Sequence, residues 1–227
     1  MPTLVEVADS SLMAKALGAR SPDLVDLAKK AEGDPELLLG ALDALGSVSP
    51  RTRVAASKLL CVLSERSPEV LYGQFDTLAR VLRQETGILK RNAMLTLANL
   101  AAIDHEKKLD AILDAYLAPI LGSNLVEAAC TLRGAATIAL VKPELAPRIA
   151  KTILGVEKAE YASSDSRNVA ISHAITALSE LVPLLPDTHN VRLFLRRQTK
   201  NPRRITRNKA RRLLKKWPLS RCRICAN

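Results

Sequence analysis

The sequence predicts an all-α fold, and three observations carry that prediction. Leu and Ala dominate a 227-residue chain whose aromatic content is only 3%. A large β protein ordinarily carries more Val, Tyr, Phe and Trp, so the balance favours helix. No strand-like alternation and no Asn-Gly hairpin signal occurs. Helix-start signals, by contrast, recur at Ser21-Pro22, Asp34-Pro35, Ser49-Pro50 and Ser67-Pro68. Each puts a capping side chain ahead of a proline, which suits the first helical turn because the N–H it lacks would be unpaired there.

Taken in order, residues 9–46 read as one or two helix pairs of weak pattern, with Leu37, Leu38, Leu42 and Leu45 at helical spacing. From Ser49 onward a local signature returns: a basic residue, two others, then Ala. It reads Arg53…Ala56, Lys90…Ala93, Arg133…Ala136, Arg167…Ala170 and Arg207…Ala210, at spacings of 37, 43, 34 and 40 residues. Apolar residues continue at helical spacing after each Ala. Another helical stretch precedes each signature from the second on: 75–82, 107–121, 143–156 and 191–198. A lone helix pair cannot bury its apolar face, so neighbouring pairs must stack. Leu97 is expected to lie buried between such helices. The expected count is ten or eleven.

Two helices per roughly 40 residues, with a basic-x-x-Ala opening to the second, resembles the HEAT-repeat family from about Ser49 to Trp217. The resemblance implies a right-handed α-solenoid whose second helices line the concave side. It implies one repeat domain over 1–217, with atypical N-terminal helices at 9–46, repeats at 49–217 and a flexible C-terminal tail at 218–227. HEAT-type repeats also tend to place an acid before the basic residue. Glu85 and Glu127 do so here, but 47–52 contain no acid. Arg53, Lys90, Arg133 and Arg167 are expected to be structural. At these helix starts a long side chain can bridge to loop carbonyls or carboxylates of the adjacent repeat.

Charge is distributed very unevenly. The chain has 34 basic and 23 acidic residues, a net of +11. Fourteen of the basic residues and none of the acids lie in 188–227, so residues 1–187 carry a net of −3. Arg192, Arg196 and Lys200 share one face of a predicted helix over 191–200, with Val191, Leu193, Phe194 and Leu195 as its buried side. Asn201-Pro202 interrupts. A last helix over 203–217 puts Ala210, Leu213, Leu214 and Trp217 in one arc. Arg204, Arg207, Lys209, Arg211, Arg212, Lys215 and Lys216 fill the rest. These ten residues are the candidate anion- or nucleic-acid-binding set. Such a face repels itself, and a polyanion relieves that repulsion by contacting several cations at once. The guanidinium fork suits phosphate. The alternatives are an acidic protein partner, or a solvated cap matched to the helix dipole.

Other chemistry is thinly represented. Cys61 and Cys130 sit in apolar helical patterns and read as small buried hydrophobes, while Cys222 and Cys225 form an isolated C-x-x-C in the tail. His105, His173 and His189 form no metal or catalytic pattern, and the glycines form no phosphate-binding loop. Asp104, His105 and Glu106 read as N-terminal charge opening a helix. No cofactor and no metal is expected. The N-terminus lacks a basic segment followed by an apolar one, and no apolar run approaches a membrane span, so a cytoplasmic protein without a membrane role is expected.

The leading expectation is a non-enzymatic interaction protein. Its helical-repeat surface would bind a protein or peptide, and its basic C-terminus would dock an anion. The second is a sequence-independent nucleic-acid binder contacting phosphates through 192–216. A DNA glycosylase-like or bilin-lyase-like enzyme on a HEAT-like fold is a distant third. The sequence places neither the aromatic residues and catalytic carboxylate of the one nor a tetrapyrrole site for the other.

Overall fold

The computed structural model describes residues 11–217. The C-x-x-C of Cys222 and Cys225, the tail at 218–227 and residues 9–10 lie outside them. The described residues form thirteen α-helices and no strand. The expectation of ten or eleven helices is low because short caps and prolines cut the N-terminal third finely. The chain divides into two compact units between Tyr116 and Leu117.

In the first unit, α1 (Leu12–Gly18), α2 (Leu24–Gly33) and α3 (Pro35–Asp43) precede the long α4 (Pro50–Arg66). Then follow α5 (Pro68–Tyr72), α6 (Phe75–Gln84), α7 (Gly87–Asn99) and α8 (Lys108–Leu117). Asp34 and Ser49 cap α3 and α4 as their Asp-Pro and Ser-Pro steps predict, and Ser67 precedes α5 without a side-chain cap bond. Ser21-Pro22 does not start a helix. Asp23, one residue later, accepts the N–H groups of Val25 and Asp26, so α2 begins at Leu24. Helix α4 packs on α2 at one side and on α7 at the other. Leu59, Leu63 and Leu97 are fully buried along these seams. Two parallel bonds set the α4–α7 register: Asn92 donates to Ser57 Oγ at 2.8 Å and Asn99 to Ser64 Oγ at 2.9 Å. Gly40 lets α1 and α3 approach, since a Cβ there would lie 3.0 Å from Met13 Cβ.

The Asp104 cluster is a cap, as its sequence suggests. Its buried carboxylate accepts the N–H groups of Lys108 and Leu109 at 2.8 and 3.0 Å and the Tyr72 hydroxyl at 2.8 Å. Burial, then the bond to Asp104, pushes the Tyr72 phenol above its ordinary range.

The second unit holds α9 (Leu125–Val141), α10 (Ala146–Leu154), α11 (Ser164–Leu181), α12 (His189–Gln198) and α13 (Arg204–Lys216). Helix α11 is its centre, packed between α9 and α13, with α10 and α12 behind. Ala170, Ala174, Leu178 and Leu181 of α11 are fully buried. Tyr161 anchors the loop before α11: its hydroxyl donates to the Ile120 carbonyl at 2.7 Å, and burial raises its pKa to about 12.

The recurring signature has a structural meaning. Arg53, Lys90, Arg167 and Arg207 each lie four residues after the N-cap of α4, α7, α11 and α13 (Ser49, Thr86, Ser163 and Arg203). Ala56, Ala93, Ala170 and Ala210 lie three residues further on and are buried. Helix α9 departs from the expected register. Its N-cap is Asn124, so the fourth position is Ala128 and the seventh is the fully buried Thr131. Arg133, assigned to the ladder by sequence, sits five residues too late and is exposed.

Candidate functional site: a cationic end with two grooves

The sequence of 192–216 contains twelve Lys and Arg. Tertiary structure divides them into three groups. Arg197 and Arg203, both outside the predicted binding set, are the two matched by carboxylates. Arg197 holds Glu157 through two bonds, and Glu157 holds the Arg197 guanidinium above its ordinary pKa. Arg203 Nη1 spans both oxygens of Asp165 at 3.1 and 3.0 Å. Both pairs tie a residue of the α12–α13 region to the segment between α10 and the start of α11.

Four of the ten candidates are engaged without a carboxylate. Arg192 donates to the Trp217 carbonyl at 2.7 Å, and Arg207 to the carbonyls of Asn201 and Pro202 at 2.8 and 3.2 Å. Lys209 Nζ donates to Thr176 Oγ1 at 2.8 Å and to the Ser172 carbonyl at 3.3 Å. Its partial burial lowers its pKa. Lys216 lies 5.6 Å above the Trp217 ring. The remaining six, Arg196, Lys200, Arg204, Arg211, Arg212 and Lys215, are exposed and make no hydrogen bond or ion pair among the described residues.

Helix geometry arranges these cations in rows. At 100° per residue, Arg204, Arg211 and Lys215 fall within about 40° of one another on the outward side of α13. Lys209, Arg212 and Lys216 fall within about 60°, on the flank that turns toward α11. The first turn of α13 has no acid, and Arg203 caps it without a side-chain bond. The buried side of α13 is Thr206, Ala210 and Leu213, and Thr206 Oγ1 bonds to the Asn168 carbonyl at 2.9 Å. Leu214 and Trp217 are half-buried rather than enclosed. Leu193, expected on the buried side of α12, is exposed, because Val191, Phe194, Leu195 and Gln198 complete the stripe without it.

Three hollows adjoin this end. One of about 340 Å³ lies between α12, α13 and the turn that follows α11, walled by Val182, Pro183, Leu195, Leu214 and Trp217, with Arg192 and Lys216 on its rim. The second, about 290 Å³, runs between α9 and α11. Its walls are Ala129, Leu132, Ala136 and Ala177, and its rim carries Arg133, His173, Thr176 and Glu180. The third, about 240 Å³, runs between α11 and α13 over Ile175 and Leu213. Thr176, Ser179, Lys209, Arg212 and Lys216 rim it. Thr176 lines both of the last two grooves, so they flank one ridge of α11, and the pair with that shared wall makes up the trough. Partial burial, then the charge of Lys209, lowers the pKa of the His173 imidazole.

Sequence reading did not find this trough. Arg133, His173 and Lys209 are dozens of residues apart, and only the stacking of α9, α11 and α13 assembles them. Arg53 Nε donates to the Leu45 carbonyl at 3.0 Å and Nη2 to the Glu85 carboxylate. Cys61 and Cys130 are half-buried, not enclosed. No cluster of three His, Cys, Asp or Glu side chains suited to a metal occurs among the described residues. Nor is any helix among them long and apolar enough to cross a membrane. Compared with protein-family models and with curated proteins, the chain matches none of them.

Proposed function

We propose that this chain is a non-enzymatic interaction protein, a HEAT-like right-handed α-solenoid whose basic C-terminal end docks an anionic partner. One observation carries the reading. The tertiary structure neutralises Arg197 and Arg203 but leaves the ten candidate cations without a carboxylate partner among the described residues. A fold that required those charges internally would match them. Leaving them unmatched costs self-repulsion, which a bound anion removes. The HEAT-like part of the reading is supported by the shared register of Arg53, Lys90, Arg167 and Arg207, and by the stacking of α4 on α7 and of α9, α11 and α13.

A second reading, phosphate-driven nucleic-acid binding, is favoured by the straight outward row of Arg204, Arg211 and Lys215. Base stacking has no support: Phe194 is fully buried, and Trp217 is half-buried under Lys216. The test is a salt titration of the full chain against poly-glutamate and against a DNA duplex. Anion docking requires that at least one binds at about 50 mM salt and weakens markedly by about 200 mM. Preference for poly-glutamate supports the leading reading, and preference for the duplex supports the second. Replacing Arg204, Arg211 and Lys215 by Gln should weaken either interaction while leaving the helical circular dichroism unchanged. Absence of binding to both anions rejects the anion-docking assignment.

A further inference from the structure

We propose that the trough across α9, α11 and α13 is a docking site for an acidic, amphipathic peptide segment, in which an apolar residue recurs at every third position among acidic ones. This deepens the interaction-protein reading and rests on it.

The argument begins with what the trough offers. Its floor is apolar, formed by Leu132 and Ala136 in one groove and by Ile175 and Leu213 in the other. Its rim is cationic. Arg133 stands at one end, Lys209, Arg212 and Lys216 at the other, and Glu180 is the one acid lining either groove. A nucleic-acid backbone would use the rim and leave the floor in contact with water. A purely apolar ligand would leave the cations without a counter-charge. A segment with both kinds of side chain uses both surfaces. Thr176 and Ser179 add hydroxyls between the grooves, where the backbone of an extended segment would run.

Spacing constrains the ligand further. Packed helices lie about 8–10 Å apart, so the two grooves are separated by a similar distance. A segment in the polyproline II conformation has three residues per turn and advances about 3.1 Å per residue, so apolar side chains three residues apart share one face and reach both floors. A repeat of Glu-Glu-Leu has that spacing, with its acids facing the rim.

The probe is a labelled peptide of repeated Glu-Glu-Leu, measured by fluorescence anisotropy against the full chain. Poly-glutamate of equal length and a DNA duplex serve as comparisons. The Glu-Glu-Leu peptide is expected to bind about tenfold or more tightly than poly-glutamate. Thr176→Glu places an acid on the shared wall of both grooves and should lower peptide affinity about tenfold or more. Arg212→Glu, at an exposed position on the rim, should do the same and guards against a folding effect peculiar to Thr176. The outer-row variant, with Arg204, Arg211 and Lys215 changed to Gln, should alter peptide affinity less than about threefold.

Equal binding of the two peptides, or full affinity in Thr176→Glu and Arg212→Glu with helical content intact, overturns the proposal. So does a duplex that binds and loses affinity in Thr176→Glu as the peptide does, since the trough would then be a phosphate surface. If poly-glutamate or the duplex binds through the outer row while Glu-Glu-Leu gains nothing, the trough assignment fails and the anion-docking reading stands. If none of the three binds, both fail.

Discussion

The two units are built by the same rules and charged in opposite ways. Residues 1–116 hold 14 basic and 16 acidic residues, whereas 117–227 hold 20 basic and 7 acidic. Both use buried small residues near the start of a long helix and leucines along its seam. Both also use polar side chains to tie one helix or loop to another distant in sequence. In the first unit Arg66 and Arg53 of α4 take part in that scheme: Arg66 bonds to Glu32 of α2 and Arg53 to Glu85 after α6. In the second unit Arg197 and Arg203 play the same part, and most of the other cations of α12 and α13 do not. The difference teaches that the stack needs few charges. Six exposed cations of the α12–α13 region stand outside that scheme.

Several substitutions can break or sharpen that contrast. The largest effects should fall on the shared scaffold, equally in both units. Leu97→Ala in the first and Leu178→Ala in the second should each cost about 2–5 kcal/mol by chemical denaturation. A loss below about 0.5 kcal/mol at either site would mean the seam is not packed as described. The loop ties come next. Asp104→Ala removes the acceptor for two N–H groups and the Tyr72 hydroxyl. Asn201→Ala removes a buried amide that bonds Asn168 and Gln198. Each should cost about 1–3 kcal/mol, read as a shift of the denaturation midpoint at unchanged slope.

The smallest effect concerns pH in the trough. His173 is faced by Arg133 from α9, Glu180 from its own helix and Lys209 from α13. Its pKa is lowered from 6.5, so it is neutral at pH 7 and gains a proton only below that value. An acidic peptide should therefore bind more tightly as pH falls below 6.5, by less than about tenfold, until its own carboxylates protonate near pH 4.3. His173→Asn should flatten the profile. The same lowering has a stability consequence of fixed sign. The unfolded imidazole binds its proton first, so folding loses stability as pH falls through 6.5.

Much of the scaffold was legible in the sequence, because caps and helical periodicity are local. Asp34-Pro35 and Ser49-Pro50 mark real helix starts, and four of the five basic-x-x-Ala signatures fall at one position after the cap. The fifth misled because Arg133-Gly134-Ala135-Ala136 offers the same string five residues too late. Counting from Asn124, the residue that caps α9, would have placed Ala128 and Thr131 instead. Leu193 was misassigned because periodicity allows two buried stripes on α12, and packing chose the one without it. The candidate site was legible only as a charge density. Which arginines meet Glu157 or Asp165 depends on contacts 38–40 residues apart, and the trough exists only once three helices stack.

The central claim is that the unmatched cations of α13 serve binding and not folding. The most direct test measures two quantities on one variant with Arg204, Arg211 and Lys215 changed to Gln. Stability in denaturant should change by no more than about 0.5 kcal/mol, while affinity for the preferred polyanion at about 50 mM salt falls about tenfold or more. A variant that loses more than about 1 kcal/mol of stability yet binds the polyanion as tightly as the parent would contradict the account.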